Sequence, residues 1–119
     1  MADRIAPGAE NVTRYFKLGE TGLDVTTFAL FYRRTLAAEV TLTPVGLHPL
    51  VTSPHEDNHA IESGNCWYRV DFPDAAFLAG AQQVILSVKY GVDASDVEDI
   101  TIDLVAELVQ RAEPDNTGI

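Results

Sequence analysis

One cysteine, one methionine, one tryptophan and 8 basic side chains are spread through 119 residues. A lone Cys66 cannot close an intrachain disulfide, and a chain of this length buries roughly two-thirds of its unfolded surface, enough for a core without covalent staples. Cations are scarce, with 8 Lys and Arg against 18 Asp and Glu, and the net charge is −10. Nucleic acid needs a cluster of phosphate-neutralising bases, and Arg33-Arg34 is the one basic pair, so no direct nucleic-acid contact is expected. No apolar run approaches the ~20 residues of a membrane span. The start, Met-Ala-Asp-Arg, lacks the charged-then-apolar order of a signal peptide, which leaves the sequon Asn11-Val12-Thr13 without a route to glycosylation. Glycine-rich phosphate loops, paired-carboxylate motifs and Ser/His/Asp signatures are missing as well. An enzyme is not expected.

What is present is alternation. From Arg14 onward the apolar residues recur every second position, the period of a half-buried strand. Phe16 and Leu18 share a face; Phe28, Leu30 and Tyr32 alternate with Ala29, Phe31 and Arg33. Val40 and Leu42 point inward before Pro44 ends or edges that strand. Val84, Leu86, Val88 and Tyr90 alternate with Ile85, Ser87 and Lys89, and Ile100, Ile102 and Leu104 with Asp99, Thr101 and Asp103. In "NCWYRVDFPDAAF" the pattern assigns Cys66, Tyr68, Val70 and Phe72 to the core and Trp67, Arg69 and Asp71 to the other face. Pro73 stops the ladder, and Asp74 is positioned to cap a short helical turn over residues 74–79 that Gly80 closes. Between Gly46 and Gly64 the chain reads as irregular, with all three histidines.

The resulting expectation is an all-β protein, an antiparallel two-sheet β-sandwich over residues 14–105. A flexible arm, 1–13, precedes it and a tail, 106–119, follows. Periodicity alone also admits an open barrel. The two cysteines around a tryptophan of true immunoglobulin domains are missing, so the immunoglobulin-like label concerns architecture only.

Four constellations carry possible chemistry. His55-x-Asp57-x-His59-x-x-Glu62 has ligand types that suit Zn²⁺, and an extended loop would project the first three from one face. The competing reading is a solvated loop, and nothing in the sequence fixes an extended geometry, so no metal or other cofactor is assigned. Asp93, Asp96, Glu98 and Asp99 supply oxygens of the kind Ca²⁺ takes, without the spacing of a calcium loop. They read as solubilising charges that blunt a sheet edge. Cys66 follows His59 and Asp57 in the order of a base and its nucleophile, yet a reactive thiol needs an electropositive setting, and this neighbourhood is acidic. Trp67, on the outer face beside Tyr15 or Tyr32, fits a protein contact or a sugar-stacking platform.

With "YFKL", "TGL", "TTFALFYRR" and above all "SPHEDNHAIESGNCWYRVDFPDAAFLAGAQQVILSVKYG" in view, residues 14–105 resemble the small β-sandwich modules of tailed-bacteriophage virions. The order carries the likeness: a His/Asp loop, a Tyr-Arg-Val-Asp strand, Pro-Asp-Ala-Ala-Phe, a Gly-Ala turn and a further strand. Similar modules often have glycine just before the tyrosine, where this chain has Cys66-Trp67. The resemblance implies a non-enzymatic virion structural protein, made in the bacterial host cytoplasm, that decorates, cements or joins a head or tail assembly. Its implied partners are other virion proteins, such as major capsid or tail subunits, in a homo-oligomer or multi-copy array. Arg33, Arg34 and Trp67 are the expected partner-contact residues. The alternative is a module that binds glycan or a host receptor.

Overall fold

The computed structural model describes residues 3–91 and 96–105. Nine strands are present there: β1 (Asp3–Ile5), β2 (Thr13–Lys17), β3 (Ala29–Arg34), β4 (Val40–Leu42), β5 (Gly46–Leu47), β6 (His59–Gly64), β7 (Trp67–Asp71), β8 (Gln83–Tyr90) and β9 (Asp96–Leu104). They form a five-stranded sheet of order β1-β9-β8-β3-β4 and a four-stranded sheet of order β2-β7-β6-β5. The two-sheet sandwich expected from alternation is the fold. Its sheets are mixed, however, because β1 runs parallel to β9 and β5 parallel to β6. In chain order, β2, β3, β6, β7, β8 and β9 stand where the B, C, D, E, F and G strands of an immunoglobulin-like sandwich stand.

The core is what period two dictates. β8 buries Val84, Leu86, Val88 and Tyr90 and leaves the residues between them partly open. Leu30, Tyr68, Val70, Phe72, Phe77 and Ile102 retain no exposed surface. Full burial of such a side chain stabilises the fold by about 1.5–3 kcal/mol. Aromatic edges interlock at the centre, with Phe28 and Tyr68 centroids 5.6 Å apart and T-shaped, and Phe16 and Phe72 6.1 Å apart. Two tyrosines also fasten the β2–β3 connection. Tyr68 Oη donates to Glu20 O (2.9 Å) and accepts from Leu23 N (3.0 Å), while Tyr90 Oη accepts from Gly19 N (3.1 Å). Burial pushes the Tyr68 hydroxyl pKa up.

Several expectations are corrected. The stretch read as a flexible arm contains β1, which Arg14 Nε holds through Asp3 Oδ2 at 2.6 Å. The stretch read as irregular contains β5 and β6. Val40 is on the inward register but sits exposed on an edge strand, so only Leu42 of that pair is core. Cys66 is only half-buried: Asn65 (φ 52°) and Cys66 (φ 69°) form the two-residue loop between β6 and β7. Positive φ at both central residues is the type I′ hairpin arrangement, which usually shows as Asn-Gly. The helical turn is a 3₁₀ turn over Asp74–Phe77 whose N-cap position is Pro73. Asp74 instead accepts from Asn11 N at 2.9 Å, and Phe77 is driven into the core. The tail 106–119 and Asp93 lie outside the described residues.

Candidate functional site

Arg69 and Asp71 project from the face of β7 opposite the core, as the alternation requires, yet they are not wet. Arg69 is 6% exposed and Asp71 0%. The chain between β5 and β6 folds over this outer face and builds a buried polar network. The Asp71 carboxylate accepts from His48 Nε2 (2.7 Å), Thr13 Oγ1 (2.7 Å), Glu56 N (3.0 Å), Arg69 Nε (3.1 Å) and Arg69 Nη2 (2.9 Å). Arg69 Nη1 donates onward to Val51 O (2.9 Å) and Ser53 O (2.7 Å). Burial pushes the Asp71 carboxyl up, but its hydrogen bonds outweigh that and hold its pKa below the usual carboxylate value. A buried charge persists only when paired this fully.

The network has the His–Asp half of a nucleophilic site, and among the described residues no hydroxyl or thiol is hydrogen-bonded to the His48 ring. Thr13 Oγ1 gives its proton to Asp71 rather than to His48. Cys66 lies five positions from Asp71 at the far end of β7, about 16 Å away at ~3.3 Å per residue. Among the described residues, Asn58 Oδ1 is the one buried side-chain oxygen or nitrogen left without a partner. The arrangement pins a loop to a sheet.

The structure brings two of the candidate metal ligands together, His55 Nδ1 and Asp57 Oδ1 at 3.7 Å, but not the set. His55 Nε2 lies 3.1 Å from the carbonyl oxygens of both Val12 and Phe72, so it carries the donated proton. His59 Nδ1 donates to Asp57 O (2.9 Å) and its Nε2 stands 3.4 Å from Glu56. Glu62 accepts from Gly22 N at 2.8 Å. Asp57 is exposed. Among the described residues no group of three or more His, Cys, Asp or Glu is arranged to hold a metal ion.

The expected contact residues lie on two surfaces and at one corner. On the four-stranded sheet Tyr15 and Trp67 are exposed, with Lys17 Nζ 5.4 Å from the Trp67 ring centroid. Tyr32 belongs to the core of the other sheet and takes no part. On the outer face of the five-stranded sheet, a cleft of ≈ 230 Å³ is lined by Arg33, Glu39, Ile85, Ser87, Lys89, Val97 and Asp99 among others. Its charges are of both signs. Arg33 is more than half exposed and stands 3.4 Å from Glu39. Lys89 Nζ lies over the Phe31 ring at 4.4 Å, and Ser87 Oγ donates to Asp99 at 2.6 Å. Arg34, adjacent in sequence to Arg33, is turned to the carbonyls of Ala75 (3.1 Å) and Ala79 (3.2 Å) and anchors the 3₁₀ corner.

Sequence reasoning located Arg33 and Trp67 on surfaces and missed His48, Arg69 and Asp71 as a cluster. Arg-x-Asp at an outward register was visible, but no sequence signal shows that a loop comes to lie over it. No family model, curated protein or solved structure matches the chain.

Proposed function

We propose that this β-sandwich is a non-enzymatic structural protein of a tailed-bacteriophage virion, made in the host cytoplasm, which decorates or joins a head or tail assembly through contacts with its subunits. The observation that carries the contact reading is the cleft on the five-stranded sheet. Arg33, Lys89, Glu39 and Asp99 flank an apolar floor of Ile85 and Val97 there, the mixture of apolar centre and polar rim that protein interfaces favour. The buried His48, Arg69 and Asp71 side chains, by contrast, are engaged with one another. The virion assignment rests on the order of motifs from Ser53 to Gly91.

The glycan-binding alternative is less well supported. Tyr15 and Trp67 are neighbours on one open face, but Lys17 lies across the Trp67 ring that a sugar would need. Quantitative mass spectrometry of particles from a phage carrying this gene tests the reading. Multiple copies per particle are expected, with occupancy lowered by Ile85→Glu; absence from purified particles overturns it.

A further inference from the structure

The order of the five-stranded sheet places β8 between β9 and β3, and on its outer face both bases lie toward the β3 side, where Glu39 accompanies Arg33, while β9 carries acids alone. Arg33 stands on β3, while Asp99 and Asp103 stand on β9. Lys89, on β8, leans over Phe31 toward the β3 side. We propose that this face is the isologous contact of a two-fold dimer, its occupant a second copy of the chain; the inference names a partner for the face on which the contact reading rests.

Symmetry supplies the argument. A two-fold axis lying between two facing sheets and parallel to β8 exchanges β3 and β9 while keeping level along the strands. Arg33 is level with Ile85, and Ile85 with Thr101. Arg33 of one copy therefore comes over Thr101 of the other, between Asp99 and Asp103. Lys89, displaced toward β3, faces the other copy's β9 near Val97 and Asp99. Ile85 meets its own equivalent close to the axis, so the centre is apolar and each flank pairs a cation with acids. Sheets packed face to face stand ~10 Å apart, a gap long side chains from both copies fill. Such an arrangement supplies local attraction between copies that each carry −10.

Sedimentation equilibrium of the full chain across a wide concentration range, in physiological salt, tests this. A monomer–dimer equilibrium is expected. Arg33→Asp and Asp103→Arg should each weaken it by about tenfold, and the double variant, which reverses the pair, should recover most of the loss. Unchanged melting curves of these variants, at exposed Arg33 and half-buried Asp103, confirm that folding is not the cause. A wild-type chain that stays monomeric throughout overturns the proposal, as does a dimer indifferent to Arg33→Asp and Ile85→Glu. Particle occupancy separates the two readings: a monomer that enters virions sinks the homotypic contact alone, and a dimer absent from virions sinks the virion reading alone.

Discussion

At the scale of single residues, Asp71 is where sequence logic and structure part most instructively. Alternation places its side chain off the core face correctly, but off-core is not the same as solvated. Five donors converge on its carboxylate, and removing one member of a buried charge pair costs about 3–5 kcal/mol because the other is left uncompensated. Asp71→Asn should therefore destabilise by about 3 kcal/mol in urea melts at pH 7, and an effect under about 1 kcal/mol would show that the network is dispensable. The pH dependence has a definite sign. Because the folded-state pKa is depressed below 3.8, the contribution of this carboxylate is complete above that value and is lost as pH falls further, through the folded-state pKa. The stability gap between wild type and Asp71→Asn should then be constant from pH 7 to about 5 and narrow as pH falls below 3.8.

At the scale of elements, the loop that covers Asp71 is held by one unusually close approach. Gly46 opens β5, pairs with His59 across β6, and leaves no room for a side chain, since a Cβ there would run into the His59 imidazole. That ring also sits 5.2 Å from His48. Gly46→Ala should push His59 off its site and destabilise by about 1–3 kcal/mol, the usual cost of overpacking. The chemical shifts of His48 and His59 should move together in a proton–nitrogen spectrum of the imidazoles; a silent substitution would mean that the β5–β6 pairing gives way easily. Such an element was illegible beforehand for a physical reason. A two-residue parallel strand has no period to detect, and its existence depends on a tertiary contact between Gly46 and His59, thirteen positions apart. The β6–β7 hairpin was hidden differently, because Cys66 occupies a left-handed position where glycine would have announced the turn. Longer strands such as β8 and β9 were readable because β8 presents four apolar positions and β9 three, at period two, to one core.

At the scale of the whole molecule, two-faced burial was the blind spot and net charge remains the lever. Period two discloses which side of a strand meets the core between the sheets, and Phe16, Leu30, Tyr68, Val84 and Ile102 all followed it. It is silent about a second layer, so the buried histidine–carboxylate–guanidinium cluster required the fold to be seen. Of the surface predictions, Arg33 and Trp67 are exposed and Arg34 is tied inward, a distinction that sequence adjacency cannot make. The charge excess itself was plain from composition, and it opposes compaction through self-repulsion that salt screens. Raising NaCl from about 10 to about 200 mM shrinks the Debye length from ~30 Å to under 10 Å, so the melting temperature at pH 7 should rise. The same salt step near the isoelectric point of ≈ 4.4 should leave it nearly unchanged, since no net repulsion is left to screen. Buried pairs such as Arg69–Asp71 are shielded from mobile ions and contribute equally on both sides of the comparison. A melting temperature that falls with salt at pH 7 would mean that surface attractions such as Arg14–Asp3 and Arg33–Glu39 outweigh the −10 background, reversing the balance argued for this molecule.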